Sequence, residues 1–393
     1  MKVLIVDDFF IGGGAETVAR ATKALLHEKG YDSRFFFGSE NMTKPDSVLA
    51  YLYSRRNRKL LAAELDSFKP DIIHIHNYYH ILSSSLLYVI RKYKQSRKAG
   101  VIYTAHDFHL ISPSSNLLYY KNGPKRLDIE NLLAAQRFKV IDRRGHLHSV
   151  LKKTQWLFEK VFFRPENLFD RIICPSGFLE NLFRKNGIKN KMIVIRNPLD
   201  VESKDELQFQ VFYESKREEN LRFVFFGRLS EEKGLKGFLD NIKELNRNIY
   251  LDFYGEGPIK EELELFAIDN EMLNVRFLGF LDFKELEVRL GEYDVAVLPS
   301  VGFENAPLVV PESAAKGLVV FGSNLGGVKE MCDLCNVPHF LYEPSDRDEF
   351  YSSYSGLVSF FANSSEKLIS LNEFSKDHYV STLVSLYDAV LSE

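Results

Sequence analysis

Cysteine is scarce in this sequence: 393 residues hold three, Cys174, Cys332 and Cys335. Three thiols cannot build a disulfide framework, which excludes the small secreted scaffolds and fits a reducing compartment. Long apolar runs are missing too. No stretch approaches the ~20 apolar residues of a membrane-spanning helix, and the N-terminal run Val3–Val6 is cut short by Asp7 and Asp8. The expectation is a chain with neither signal peptide nor transmembrane helix, cytoplasmic by default. What is present is 45% hydrophobic and 27% charged, the balance of a folded globular protein. Its length exceeds one ordinary core and predicts two domains.

The net charge of −3 hides a division at Pro198. Residues 1–198 carry 33 Lys and Arg against 18 Asp and Glu, and residues 199–393 carry 18 against 36. Two readings stand side by side. The halves differ only in surface charge, or the basic half meets an anionic surface or acceptor.

Short β-branched runs recur, each followed by a helix-favouring stretch, the pattern of βα units that build a parallel sheet. Lys2–Val6, Ser33–Phe37, Ile72–His76, Val101–Thr104, Arg171–Cys174 and Met192–Arg196 read as strands of a first sheet. Asn197-Pro198 breaks the pattern, because proline disfavours helical geometry before it and removes a donor. After a polar stretch at 200–220 the pattern restarts with Leu221–Phe226, Ile249–Tyr254, Val275–Leu278, Val295–Leu298 and Leu318–Phe321. The prediction is an α/β protein of two doubly wound domains, 1–198 and 199–370, with a helical tail from Lys367 to Glu393 whose part from 371 onward packs back on the first domain.

Three loops carry candidate chemistry. The first strand runs into Gly12-Gly13-Gly14-Ala15-Glu16, and Ala15–Glu28 reads as a helix. Glycines there let backbone approach a phosphate, and the helix start offers unpaired N–H groups; the dull alternative is a tight turn. The second sheet opens on Phe226-Gly227-Arg228-Leu229-Ser230-Glu231-Glu232-Lys233-Gly234. A guanidinium fork and a point charge five residues apart suit a diphosphate, unless both are solvated surface cations. The third is Phe303-Glu304-Asn305-Ala306-Pro307-Leu308-Val309-Val310-Pro311-Glu312, which follows Val295–Leu298 and Pro299-Ser300. A helix starting near Leu308 keeps Pro311 in its first turn. Its free N–H groups suit phosphate, and Glu304 and Glu312 suit sugar and ribose hydroxyls, though glutamates at helix starts are common for dipole reasons alone.

Gly-Gly-Ala-Glu after the first strand, His106-Asp107 after the fourth, Gly227-Arg228 to Gly234, Gly255-Glu256-Gly257-Pro258 and the Glu304/Glu312 pair occur in the order found in family 4 glycosyltransferases. The chain resembles that family over nearly its whole length, best in residues 221–330. The resemblance implies the GT-B fold, two Rossmann-like domains facing across a cleft, and transfer of a hexose-type sugar from a UDP- or GDP-sugar with retention of anomeric configuration and without metal or other cofactor. It implies that Arg228 and Lys233 bind the diphosphate, Glu312 the ribose and Glu304 the sugar hydroxyls. It further implies that Gly13 and Gly14 close on the phosphates, that His106 sits beside the donor sugar, and that Gly255, Gly257, Asn305, Ala306, Pro307 and Leu308 line the donor. The catalytic set is then Glu304, His106, Arg228 and Lys233. Thr104-Ala-His-Asp-Phe-His-Leu-Ile-Ser-Pro is similar to a subgroup that builds bacterial surface polysaccharides, although Ser112 stands where that subgroup commonly has Cys. A glycan or polyprenyl-diphosphate-linked acceptor follows from this, with no nucleic acid as partner. The competing readings are a nucleotide-sugar epimerase of similar fold and a non-catalytic binding protein. Against the latter stand the four charged positions Arg228, Lys233, Glu304 and Glu312, all present.

Other signals are weaker. Cys332-x-x-Cys335 has metal-ligand spacing but no nearby histidine pair, and reads as incidental. His74, His76 and His80 cluster at a strand end, as lining or as plain strand-end residues. Asp346-x-Asp348 reads as a solvated turn. From Lys152 to Arg164 the only tryptophan, three phenylalanines and four cations share one stretch. It reads either as core or as an interfacial helix on an anionic membrane, which would place the protein peripherally on the inner face of the cell membrane.

Overall fold

The computed structural model describes residues 1–10, 13–38, 47–199, 207–245 and 249–393. Gly12 and residues 200–206 of the polar stretch lie outside the described residues. The first half contributes β1 (Lys2–Asp7), β2 (Asp32–Phe37), β3 (Ile72–Ile75), β4 (Gly100–Thr104), a short hairpin of β5 (Leu118–Tyr120) and β6 (Pro124–Arg126), β7 (Arg171–Cys174) and β8 (Met192–Val194). The second half contributes β9 (Gln208–Tyr213), β10 (Arg222–Phe226), β11 (Tyr250–Tyr254), β12 (Val275–Gly279), β13 (Val295–Leu298), β14 (Val319–Ser323), β15 (His339–Tyr342) and β16 (Ser365–Ser370).

Two six-stranded sheets result, in the orders β2-β1-β3-β4-β7-β8 and β12-β11-β10-β13-β14-β15. Every ladder in both is parallel. Inner strands of such sheets are covered on both faces and so read as unbroken apolar runs. Val3-Leu4-Ile5-Val6 and Ile72-Ile73-His74-Ile75 are wholly buried. Each sheet with its helices is a doubly wound α/β domain.

Contacts divide the chain into two units. The first comprises Met1–Tyr120, Leu127–Pro198 and Lys376–Glu393, and the second Lys121–Arg126 and Leu199–Ser375. The helix Lys376–Ser392 contributes Tyr379, Val380, Leu383, Leu386, Tyr387 and Val390 to one cluster with Val3, Ile5, Ile72 and Ile102 of the first sheet. The tail is not helical from Lys367. Ser365–Ser370 is a strand paired antiparallel with β9, and the helix starts at Lys376. Glu366-Lys367-Leu368 favours a helix locally, but pairing with a partner strand more than a hundred residues earlier overrides that preference.

One smaller reading also changes. Asp346 is the N-cap of the helix Arg347–Phe361, its carboxylate accepting the Glu349 N–H, rather than part of a solvated turn. Cys332 and Cys335 are buried in the apolar cluster of the helix Val328–Cys335, and burial pushes the Cys335 thiol up to about 12.

Candidate functional site

In a doubly wound sheet the crossovers leave in opposite directions at one pair of neighbouring strands. The crevice this opens at the strands' C-terminal ends is where ligands bind. In the second unit that pair is β10 and β13. The loops that follow them are the glycine-bracketed segment after Phe226 and the segment Pro299–Leu308, so both sequence-predicted loops lie at the switch point.

Backbone joins these loops to their neighbours. Gly227 N–H donates to the Tyr254 carbonyl at 2.9 Å and Leu229 N–H to Glu256 at 3.0 Å, which ties the loop after β10 to Gly255-Glu256-Gly257 after β11. Val301 N–H donates to Glu232 at 3.0 Å and Gly327 N–H to Glu304 at 2.8 Å. Two glycines make the approach possible. A Cβ on Gly255, whose φ is +147°, would lie 1.9 Å from the Gly227 carbonyl oxygen, and one on Gly257 would lie 2.0 Å from that of Leu229. Gly255 and Gly257 thus hold loop to loop.

The loops bring charged residues together. Lys233 Nζ lies 2.7 Å from Glu304 Oε1, and the Ser300 hydroxyl donates to the same oxygen. Burial works against ionising Glu304, but the Lys233 ammonium and the two hydrogen bonds outweigh it and hold the carboxyl below its usual range. Glu304 is therefore an anion at neutral pH. Arg228 is exposed on the same loop as Lys233. The helix Val309–Ala314 is only six residues long, with Leu308 as N-cap and both Pro311 and Glu312 in its first turn. Asn305, Ala306 and Pro307 form the turn between Glu304 and that helix. Burial alone pushes the Glu312 carboxyl up to about 7. Two carboxylates eight positions apart are thus set to opposite tendencies, one charged and one poised to take a proton.

In the first unit the switch point lies between β1 and β3. Gly13 is the N-cap and Gly14 the first residue of the helix Gly14–Glu28, which follows β1. Just past β3 stands His76, and just past β4 stands His106. The Nδ1 of His76 meets the Nε2 of His106 at 2.8 Å, with the rings stacked. Burial lowers His106 to about 4 and His76 well below its usual value, so both rings are neutral. His74 is different in kind. It is fully buried between the Tyr387 and Thr104 hydroxyls, each at 2.7 Å, and holds the structure together. His80 offers its backbone: with Ile81 and Leu82 it donates three N–H bonds of 2.7–2.8 Å to the Asp8 carboxylate.

Asp8 and the pairing of His76 with His106 are contributions that the sequence motifs do not reveal. The adjoining aspartates after Val6, both buried, are the visible trace of Asp8, since acids are seldom fully buried unless paired. A cavity of about 650 Å³ lies elsewhere in the first unit, between the helices Arg55–Phe68 and Leu86–Arg97, and contains none of these residues.

Two family descriptions match the chain, "Glycosyltransferase Family 4" over residues 12–203 and "Glycosyl transferases group 1" over residues 220–359. The chain belongs to the family 4 glycosyltransferases. An uncharacterized glycosyltransferase of Methanocaldococcus jannaschii is 28% identical over 163 residues, 41% of this chain and 42% of that one. An uncharacterized 42.6 kDa protein in the cps region of Klebsiella pneumoniae is 26% identical over 76% of this chain and 69% of its own length. The chain thus spans under half of the first relative and about two thirds of the second. The crystal structure of HepE from Anabaena in complex with UDP superposes with a TM-score of 0.63 at 16% identity, covering 99% of this glycosyltransferase and 100% of that protein. That likeness shows the two-domain GT-B fold.

Proposed function

We propose that this glycosyltransferase moves a hexose from a nucleoside-diphosphate sugar, with UDP favoured over GDP, to a glycan or polyprenyl-diphosphate-linked acceptor, retaining the anomeric configuration. The setting is the building of a bacterial surface polysaccharide. The observation that carries the reading is the Lys233–Glu304 pair beside Arg228 at the second unit's switch point. The HepE complex with UDP and the Klebsiella relative in a cps region support the donor and the setting.

In this reading Arg228 and Lys233 take the diphosphate and neutralise the charge that grows on it as the glycosidic bond breaks. Cations fixed before the reaction do this without reorganising, the largest usual source of acceleration. Glu304, ionised, accepts hydrogen bonds from the sugar hydroxyls, and Glu312 takes the ribose. The acceptor hydroxyl attacks from the face that the diphosphate leaves and passes its proton to the departing diphosphate oxygen, which conserves configuration without an enzymic nucleophile. His106, a neutral ring paired with His76, is proposed to sit beside the donor sugar, and the backbone at Gly13 and Gly14 is a further phosphate contact.

The site is proposed to need no metal, because the side-chain cations supply the positive charge. Turnover should survive excess EDTA, and a loss restored by Mg²⁺ or Mn²⁺ would overturn that part. The basic first unit is proposed to meet the anionic inner face of the cell membrane. The deciding experiment is thermal stabilisation by a panel of UDP- and GDP-sugars, since a ligand that binds only the folded state raises the melting temperature. One UDP-sugar should stabilise the protein and be consumed with an acceptor. Arg228→Ala and Lys233→Ala should each cut turnover by about 10²-fold or more with the fold intact. Near-normal turnover in both variants would rule the clamp out.

A further inference from the structure

The helix His146–Phe158 and the π-turn Glu159–Phe163 that extends it are built inside out. Three of the four side chains they bury are polar, namely Ser149, Gln155 and Glu159, with Phe163 as the fourth. These have partners within the first unit. Ser149 Oγ donates to the Gly145 carbonyl at 2.8 Å, Gln155 Nε2 donates to the Tyr79 carbonyl, and Glu159 accepts from the Tyr78 hydroxyl at 2.8 Å and from the Ser84 hydroxyl.

Turned outward are Leu147, Val150, Leu157, Val161 and Phe162, which are 80, 60, 58, 52 and 64% exposed. The first four, spaced three, seven and four apart, fall on one helical stripe, with Phe162 at its edge. Lys153 Nζ donates to the carbonyls of Arg137 and Lys139 at 3.1 and 2.8 Å, which sets Phe138, 86% exposed, beside the helix. Surface helices do the reverse, burying the apolar stripe and wetting the polar one. A contiguous exposed apolar patch marks an interaction surface.

Charge selects the occupant. Residues 133–164 hold eight Lys and Arg against two acids, Asp142 and Glu159. Both acids are buried, Asp142 paired with Arg144 and Lys152, and Glu159 in its hydroxyl network. Arg137, Lys139, Arg143 and Arg164 are exposed. An apolar stripe rimmed by cations with no exposed carboxylate among them is complementary to the headgroup layer of an anionic bilayer. We propose that Leu147, Val150, Leu157, Val161, Phe162 and Phe138 seat the first unit in such a bilayer, with those four cations on the lipid phosphates.

The contact differs from the one the sequence suggests. Trp156 turns inward and its indole N–H donates to the His109 carbonyl at 2.8 Å, while Phe163 is buried. Lys152 and Lys160 are engaged by Asp142 and Glu166.

The inference deepens the membrane side of the proposed function and rests on it, but its test reads binding and leaves sugar transfer to stand separately. The intact protein is sedimented with vesicles of phosphatidylglycerol and phosphatidylcholine, and of phosphatidylcholine alone, at low and high salt. It should pellet with the anionic vesicles at low salt and be released as salt shortens the range of the attraction. Leu157→Gln, Val161→Gln and Phe162→Gln together should weaken the partitioning by about tenfold or more. Their unaltered melting temperature would show that these exposed positions leave the fold intact. The proposal fails if the intact protein stays in the supernatant at low salt, or if the triple variant binds as well as the parent. It fails too if the protein is instead a dimer that the triple variant splits, since the stripe would then be an interface between copies.

Discussion

Lys233 and Glu304 stand 71 positions apart in the chain and 2.7 Å apart in space. Each sits in a short loop whose residue types announce charge chemistry, so both could be singled out as candidates from the sequence. Their pairing was not, because it depends on β10 and β13 being neighbours. Glu312 carries a consequence of its own. Burial raises its carboxyl from 4.5 to about 7, so the folded state keeps the proton longer than the unfolded chain does. The associated stability is whole below about pH 4.5 and is lost as the pH rises through about 7. Glu312→Gln is neutral at every pH. Its melting temperature should equal the parent's in acid and exceed it above neutral, the gap opening between those limits and amounting to roughly 1–3 kcal/mol. Scanning calorimetry across pH checks this, and a constant gap would refute it. Affinity for UDP-glucose, whose diphosphate carries no proton near neutral pH, should tighten for the parent as the pH rises through about 7 if the carboxylate takes the ribose. Titration calorimetry should find that dependence flat in the variant.

Among the elements, the buried parallel strands were readable because strands covered on both faces advertise themselves as apolar runs. The β9 and β16 pair was not. β9 alternates exposed and half-buried positions up to buried Tyr213, β16 is mostly exposed around the one buried residue Ile369, and each finds its partner far along the chain. His339–Tyr342 also escaped, being a four-residue run with polar His339 at its start. The glycine loops were read as places where a phosphate comes close, and the structure adds a mechanical role. Gly257→Ala would drive a methyl group into the Leu229 carbonyl, with backbone on both sides and no flexible side chain to yield. The variant should lose about 2 kcal/mol or more of stability and bind nucleotide sugar more weakly, since the loop bearing Arg228 and Lys233 must shift. Denaturant unfolding together with titration measures both. An unchanged melting point would show that the loops part freely.

At the scale of the whole molecule, the chain leaves the first unit at Pro198 and returns to it at Lys376. Leu383 is fully buried in the first unit's core, and a Cβ on Gly100 of β4 would strike Val390 at 2.6 Å, so the returning helix lies tight on that sheet. Leu383→Ala should cost about 2–5 kcal/mol. The loss should fall on the first unit, with stabilisation by nucleotide sugar retained, as calorimetry with and without ligand would show. The division into two sheets was legible from the restart of the βα pattern after Pro198. The ownership of residues 371–375 by the second unit was not, since the strand before them was hidden in a helix-like sequence. The looped path also orders events during synthesis. A ribosome delivers the second unit as nearly one continuous segment, free to fold as soon as it emerges. The first unit, begun earlier, waits with Val3, Ile5 and Ile72 partly uncovered until the helix Lys376–Ser392 is made, and for that interval it is the part of the nascent chain that a chaperone would find.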